Sequence, residues 1–294
     1  MNERPLSGYI AVIAASALWG LSGIFVRFIL AGANFGPLSL AFWRDLLTFA
    51  ALFVGLMLLR PAWLRVEKRD LPWLAAVGVS VGAFHVFWNL AVFVNGPAVA
   101  TVQQAAMPAV VAIIAWFLWR ESLGWRKLLA IIFTFSGTVL VSNVGLLSQT
   151  NLNLFGLLTG LGLPLAYASW NLFGKKVRRR YGVLTVLTYG FGFGALALLP
   201  FQFFVPFPWP APLSTWLWFA ALIFVPTIGA WYAYMFGLGR LPASVASILS
   251  MMEIPFVAVY AYLLLNELMT LTQAIGAVMV IIGVSLLFRQ KNGV

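Results

Sequence analysis

The sequence has little of what a water-soluble enzyme requires. Its 294 residues include no cysteine, one histidine and seven acidic residues, and only 9% of them are charged. The absence of cysteine excludes disulfides and thiolate chemistry, and a single histidine argues against a transition-metal site. A soluble domain carries roughly 25% charged residues because its surface faces water. We therefore expect a chain that faces hydrocarbon and uses neither a metal nor a cofactor.

What the sequence does contain is apolar. Hydrophobic residues make up 63% of it, and there are 13 tryptophans, a residue favoured at membrane–water interfaces. Ten apolar segments lack the polar alternation of barrel strands and are long enough to cross ~30 Å of hydrocarbon as helices. The first is too long for a signal peptide and is expected to be a retained helix. The ten predicted helices are Leu6–Leu30, Leu38–Leu59, Leu71–Val94, Ala98–Leu118, Leu128–Val144, Leu154–Phe173, Leu184–Phe204, Ser214–Leu238, Ala243–Leu265 and Thr272–Phe288.

Apart from Arg27 and Arg44, which lie within predicted helices, the basic residues occur in alternate connections and at the termini, and the net charge is +11. They follow the second, fourth and sixth predicted helices, whereas the connections between, such as Ser142–Asn153, contain no Lys or Arg. This bias predicts a multi-pass protein of the plasma membrane with both termini in the cytoplasm. It favours anionic lipids of the bilayer over nucleic acid as partners. The run from Lys175 to Arg180 is either a topology anchor or a lipid-binding site.

The two halves of the chain repeat each other. Met107-Pro108-Ala109-Val110 corresponds to Ile254-Pro255-Phe256-Val257, 147 residues later. A unit of five helices crosses the membrane an odd number of times, so the two units are inverted, which is typical of transporters with a solute site at mid-membrane. The sequence predicts an all-α integral membrane protein of ten transmembrane helices, with inverted five-helix repeats at 1–148 and 149–294 around a central cavity.

Several motifs resemble the EamA modules of the drug/metabolite transporter superfamily. They are Trp19-Gly20, Phe42-Trp43-Arg44 and the segment Asn266–Ala277, which reads NELMTLTQAIGA. The resemblance covers nearly the whole chain as two modules, although the first half has Glu121-Ser122-Leu123 where the second has Glu-Leu-Met-Thr. The chain is also similar to YddG-type amino-acid exporters. This resemblance implies a ten-helix basket around a central cavity and the export of amino acids, aromatic ones included.

Polar and aromatic side chains within the apolar helices are the candidates for solute binding, because polar groups in hydrocarbon need a partner or a watery cavity. His85 and Asn89 lie four residues apart and share a helix face, although His85 could instead bond a helix carbonyl. Aromatic walls with scattered amides suit amphipathic solutes. The predicted substrate-binding residues are Trp19, His85, Asn89, Gln103, Met107, Tyr167, Trp170, Asn171, Tyr232 and Met251.

Three further residues are candidates for coupling or gating. Glu253 is a carboxylate deep in a helix and either carries a coupling proton or makes a structural hydrogen bond. Pro108 and Pro255 are predicted inside helices, where each would free a carbonyl or act as a hinge. Arg44 and Asp45 are expected to form a structural pair near the outer surface, or to bind a solute carboxylate.

The sequence favours the transport of small organic solutes by alternating access, and amino acids are the solutes that it favours most. We expect a monomer. The first alternative is a transporter of drugs or other metabolites, such as nucleotide sugars, but the few buried cations disfavour phosphorylated solutes. An intramembrane enzyme would need paired carboxylates or an activated nucleophile. A receptor would not explain the repeat.

Overall fold

The computed structural model describes residues 6–33, 35–142, 154–205, 211–265 and 270–288. Every regular element within these residues is a helix. Short 3-10 turns join several of the α-helices, and a π-helical turn, Ile223–Gly229, lies between two of them. The α-helices are α1 Leu6–Gly20, α2 Ser22–Gly32, α3 Pro37–Leu59, α4 Leu71–Gln104, α5 Met107–Trp119, α6 Trp125–Val141, α7 Leu154–Val177, α8 Val183–Leu198, α9 Leu213–Leu222, α10 Ala230–Leu238, α11 Ala243–Leu249, α12 Glu253–Leu265 and α13 Leu271–Phe288.

Seven helical stretches among the described residues are long and apolar enough to cross a membrane, and an eighth, Leu271–Leu287, is apolar but shorter. The chain is therefore an all-helical, multi-pass membrane protein. The predicted connection Ser142–Asn153 lies outside the described residues except at its first residue. The seven stretches are Leu6–Gly32, Leu38–Leu59, Lys68–Ala91, Ala100–Trp119, Val183–Phe204, Leu213–Leu238 and Ala243–Leu264.

The largest difference from the prediction concerns the third and fourth predicted helices. The structure has no break at residues 95–97; α4 is one helix from Leu71 to Gln104, and the chain turns at Ala105 and Ala106 before α5 begins. The prediction that Pro108 lies inside a helix is therefore wrong. Pro108 lies in the first turn of α5, where its missing N–H costs nothing, and its ring cannot follow the carbonyl of Gln104 in a continuous helix.

The repeat-related position has the same break. The predicted helix Ala243–Leu265 is divided into α11 and α12 by the 3-10 turn Ser250–Met252. Pro255 is the third residue of α12, so it also begins a helix and does not interrupt one. Both proline motifs therefore mark the start of a half-helix after a break, and not a kink within an intact helix.

Glycines allow the helices of the two halves to approach closely. A Cβ on Gly137 of α6 would lie 2.5 Å from the carbonyl oxygen of Gly276 on α13, and one on Gly78 of α4 would lie 2.6 Å from that of Gly190 on α8. Small residues permit this backbone contact in membranes. The same α4–α8 contact brings Gly194 against the carboxylate of Asp45 on α3.

The connections that carry the basic residues meet at one end of the bundle, called here the basic end. Arg180 pairs with Asp70 at 2.9 Å, and Lys175 pairs with Glu121 at 3.2 Å. Thr185 donates to the carbonyl of Trp63 at 2.8 Å. These contacts join the chain after α3, α5 and α7, so the one-sided placement of charge in the sequence corresponds to one face of the fold.

Candidate functional site

Five aromatic side chains from α1, α7 and α10 form a cluster in the middle of the bundle. This aromatic cluster consists of Trp19, Tyr167, Trp170, Trp231 and Tyr234. The Trp170 and Trp231 rings lie 4.5 Å apart, and Tyr234 contacts Trp19 at 5.1 Å and Trp170 at 5.3 Å. Trp170, Trp231 and Tyr234 are at most 2% exposed. The space predicted as a central cavity is therefore filled by packed aromatic rings at this point.

A small polar network runs through the aromatic cluster. The hydroxyl of Tyr167 lies 3.1 Å from that of Tyr234 and 3.0 Å from Oγ of Ser250. Asn171 donates its Nδ2 hydrogen to the Tyr234 hydroxyl. Nε1 of Trp170 and Oδ1 of Asn171 are buried and find no hydrogen-bond partner among the described residues. An unpaired buried donor or acceptor costs ~1–3 kcal/mol, so these atoms are available to a solute with matching groups.

The structure brings some of the predicted residues to this cluster and places others beside it. Trp19, Tyr167, Trp170 and Asn171 are in or against it. Met107, with no exposed surface, lies in the same hydrophobic core. Met251 is 1% exposed in the 3-10 turn before α12. Gln103 lies against α7 at Gly160, and Asn89 is partly buried on α4.

Tyr232 lies outside the aromatic cluster. It is 44% exposed, whereas Tyr234, two residues later on α10, is fully buried. Residues two apart lie about 200° around a helix from each other, so the two tyrosines point in nearly opposite directions. Tyr234, which is not among the predicted substrate-binding residues, takes the place in the cluster that was predicted for Tyr232.

A charged layer lies beside the aromatic cluster; it consists of the buried Asp45 and His85 and the half-buried Arg44 and Glu253. Nδ1 of His85 lies 2.7 Å from Oδ1 of Asp45, and the His85 ring meets Trp231 edge-on at 5.9 Å. His85 was predicted either to bond a carbonyl or to line the cavity. In the structure it pairs with the carboxylate of Asp45, and Arg44, the partner expected for Asp45, lies within electrostatic range of the same carboxylate.

Arg44 contacts the second half of the chain at its π-helical turn. Its Nε donates to Oγ1 of Thr227 at 2.9 Å, and Thr227 donates to the carbonyl of Leu222 at 2.7 Å. Pro226 has no N–H to offer within this turn, and the wider π geometry is often found at functional sites. Arg44 lies within electrostatic range of the carboxylates of Asp45 and Glu253.

Glu253 lies where the two broken helices face each other. Nε2 of Gln104, the last residue of α4, lies 3.3 Å from Oε2 of Glu253, the first residue of α12. Gln104 is buried and Glu253 is half-buried. Both half-helices begin here, and helix N-termini favour negative groups. The site therefore has hydrogen-bonding groups next to the two helix starts.

The predicted substrate-binding set left out four of the residues at this centre: Asp45, Tyr234, Trp231 and Ser250. Asp45 was expected near the outer surface, in a structural pair with Arg44 or binding a solute carboxylate. Its contact with His85 depends on the close α4–α8 and α3–α8 packing. The available signal was the unusual presence of an aspartate and the only histidine within apolar segments, where charged groups pair with one another.

A second polar cluster joins the two halves at the basic end. Glu121, after α5, accepts from Lys175 Nζ at 3.2 Å, from Oγ of Ser244 at 2.6 Å and from the backbone N–H of Ala243 at 2.9 Å. Lys127, 1% exposed, donates to Ser244 at 2.8 Å. Burial alone would raise the pKa of the Glu121 carboxyl, but the attraction of Lys175 and these hydrogen bonds outweigh it and hold that pKa below its usual range.

The basic run after α7 lines a cavity of about 380 Å³ at the same end. The Lys176 ammonium lies 3.1 Å from the ring centroid of Trp73, and Asp70 accepts from Tyr181 at 2.7 Å and from Arg180. Cations therefore outnumber acids around this cavity. Its lining residues are Arg69, Asp70, Trp73, Lys176, Val177, Arg179, Arg180 and Tyr181.

Comparison with known proteins agrees with this architecture. The chain is 25% identical over 288 residues to an uncharacterized transporter of Archaeoglobus fulgidus, covering 96% of this chain and 99% of that protein. It is 28% identical over 292 residues to the uncharacterized inner membrane transporter YicL of Salmonella typhimurium, covering 95% and 94%. A solved crystal structure has a TM-score of 0.79 at 19% identity over 96% of both chains, which shows a shared fold.

The relatives do not support the finer likeness to YddG-type exporters, because their names give no substrate. The model of the EamA-like transporter family matches the chain twice, at residues 6–143 and 154–289. The protein is a membrane transporter, and its chain belongs to the EamA-like transporter family.

Proposed function

We propose that this protein exports small amphipathic solutes, chiefly amino acids and among them aromatic ones, from the cytoplasm across the bacterial inner membrane. The observation that carries the proposal is the set of buried polar atoms without partners at the aromatic cluster. Nε1 of Trp170 is a donor and Oδ1 of Asn171 an acceptor. A zwitterion with an apolar side chain offers a carboxylate to the first, an ammonium to the second and a hydrophobic body to the rings.

Alternating access between two inverted five-helix repeats is the mechanism we infer. Helix contacts occur in repeat-related pairs, which supports this inference: α4 packs on α7 as α10 packs on α1, and α5 on α7 as α12 on α1. The cluster draws Trp19 from the first half and Trp170, Trp231 and Tyr234 from the second. A rocking motion of one half against the other would separate these rings and open the site to one side.

The basic end faces the cytoplasm in this proposal, because Lys and Arg are retained on that side. The Glu121 contacts with Lys175, Ala243 and Ser244 then close the cytoplasmic side in the conformation described here. A phosphorylated solute is disfavoured, because Arg44 already donates to Thr227 and lies near two carboxylates.

Counterflow into liposomes containing purified protein tests the proposal. Labelled phenylalanine, threonine and a nucleotide sugar should be compared, each with the same unlabelled solute inside. We expect exchange of both amino acids and none of the nucleotide sugar. Asn171→Ala should reduce amino-acid exchange about 5-fold or more, because losing one hydrogen bond of ~1 kcal/mol corresponds to that change. Ser169→Ala, on the same helix with only an intrahelical bond to Leu165, is the matched control and should leave exchange unchanged. Exchange of the nucleotide sugar without that of amino acids would contradict the proposal.

A further inference from the structure

The Asp45–His85 pair is an unusual feature for the interior of a membrane protein. Asp45 has no exposed surface and His85 is 3% exposed, and their 2.7 Å contact joins α3 to α4. When the carboxylate is ionised, Nδ1 of His85 must carry the hydrogen and donate it to Oδ1 of Asp45. The pair then carries one negative charge that is buried away from water. Burying a charge costs free energy unless an opposite charge pairs with it.

Each member of the pair keeps one buried polar atom free. Oδ2 of Asp45 and Nε2 of His85 find no hydrogen-bond partner among the described residues. Oδ2 lies against the backbone of Gly194, and the His85 ring lies 6.3 Å from Phe191 and 5.9 Å from Trp231. The two free atoms are both proton acceptors in this state, and apolar groups surround them.

The charged groups near the pair include more negative than positive charge. Arg44 precedes Asp45 on α3, and Glu253 on α12 lies within electrostatic range of Arg44. The groups that contact the pair from α8 and α10 are uncharged: Phe191, Gly194 and Trp231. Arg44 lies within electrostatic range of both Asp45 and Glu253. With His85 neutral and both carboxylates ionised, one cation serves two carboxylates, and the charged layer carries a net negative charge. One bound proton makes it neutral.

We propose that the Asp45–His85 pair is the proton-binding site of this transporter and that its proton is exchanged for the ammonium group of the solute. A proton from the aqueous phase adds to Nε2 of His85 and forms an imidazolium that remains paired with the Asp45 carboxylate. The proton leaves Nε2 for water on the side to which the site is then open, when a solute ammonium supplies the positive charge in its place. Because His85 contacts Trp231 of the aromatic cluster, the two cations compete for one buried region. The inference rests on the proposed function for the identity of the solute.

The proton site can be tested without transport, because His85 is the only histidine in the sequence. Protein that is labelled with ¹⁵N-histidine and purified without a histidine-containing tag gives imidazole signals from this residue alone. We expect the wild-type ring to be neutral, with hydrogen on Nδ1, at alkaline pH and to be an imidazolium at acid pH. In Asp45→Asn the ring should remain neutral in both conditions. A wild-type ring that keeps one protonation state throughout, in folded protein, would overturn the proposal.

The coupling is tested in liposomes with labelled phenylalanine. With a pH gradient imposed, Asp45→Asn and His85→Gln should each lower the ratio of gradient-driven accumulation to counterflow at equal pH by at least 10-fold. Ser80→Ala is the control on α4, because its hydroxyl bonds only the carbonyl of Ala76; it should retain both activities. Undiminished accumulation in both variants, or its loss in Glu253→Gln alone, would overturn the assignment. Absence of phenylalanine counterflow in the wild type would instead contradict the proposed function, with the histidine titration unaffected.

Discussion

Neutralising Glu121 by Glu121→Gln should destabilise the protein much more than the same change at Glu67, an exposed carboxylate after α3. The carboxylate accepts four hydrogen bonds, from Lys175 Nζ, from Oγ and N–H of Ser244 and from the N–H of Ala243. All four donors belong to the second half of the chain. Glutamine keeps the shape of the side chain and one acceptor oxygen, but it replaces the other oxygen by an NH₂ group, which cannot accept from these donors.

The magnitude follows from the two lysines that lose their counter-charge. The side chain of Lys127 is 2% exposed and lies 4.0 Å from the carboxylate, and that of Lys175 is 18% exposed and lies 3.2 Å from it. Removing one partner of a buried ion pair costs about 3–5 kcal/mol. Since Lys175 is partly solvated and Lys127 also donates to Ser244, we expect the lower end of that range, about 3 kcal/mol.

Unfolding by SDS in mixed micelles, followed by circular dichroism, measures this difference. Glu67→Gln is the matched control, because Glu67 pairs with Arg69 while both side chains are more than half exposed, at 59% and 66%; exposed pairs contribute little. A loss below ~0.5 kcal/mol in Glu121→Gln, or an equal loss in both variants, would refute the reasoning.

The same pair of proteins should differ with pH in a defined direction. The folded-state pKa of Glu121 lies below its usual value of 4.5, because Lys175 and the hydrogen bonds outweigh burial. The stabilisation is therefore complete at neutral pH and is lost as pH falls through the folded-state pKa. We expect a constant difference between wild type and Glu121→Gln at about pH 6–8 and a diminishing one below about pH 4.

Three further predictions concern the packing and the topology. Tyr234→Phe should lower the free energy of unfolding by ~1–3 kcal/mol, because Asn171 and Tyr167 lose a buried partner; no change in the SDS midpoint would contradict the polar network. Gly137→Ala should cost ~1–3 kcal/mol by forcing α6 away from Gly276, whereas Gly55→Ala, with nothing within 4 Å of the added Cβ, should be tolerated; equal effects would contradict the close contact. With no native cysteine, single cysteines at Thr270 and Arg179 test orientation, and an impermeant thiol reagent on whole cells should label only position 270; labelling of position 179 alone would reverse the topology.

The helical, membrane-spanning nature of the chain could be predicted from composition, since apolar runs of this length have no other stable form in hydrocarbon. The charge pattern also predicted which connections share an end of the bundle, as the contacts of Arg180 with Asp70 and of Lys175 with Glu121 agree. Pro108 and Pro255 were predicted inside continuous helices, whereas each lies in the first turn of a helix. Hydropathy cannot distinguish a proline that kinks a helix from one that begins a new half-helix, because both lie in one apolar run.

The aromatic and charged centre could be predicted only in part. Trp19 and Trp170 were found because they occupy repeat-related positions, and Tyr167 and Asn171 because they neighbour Trp170. The pairing of Asp45 with His85 could not be predicted, because it depends on how closely α3, α4 and α8 pack. The choice between Tyr232 and Tyr234 depended on the rotation of α10, which an all-round apolar helix leaves undetermined.

The most direct test of the account is the ratio of phenylalanine to threonine counterflow in Trp170→Ala, measured per folded molecule in liposomes. Trp170 contacts Trp231, Tyr167 and Tyr234, and an aromatic contact contributes ~0.5–1.5 kcal/mol beyond burial of area. If the cluster receives the solute side chain, phenylalanine exchange should fall about 3- to 10-fold more than threonine exchange. If both solutes fall equally, or only the yield of folded protein falls, Trp170 serves packing alone and the proposed aromatic binding site is wrong.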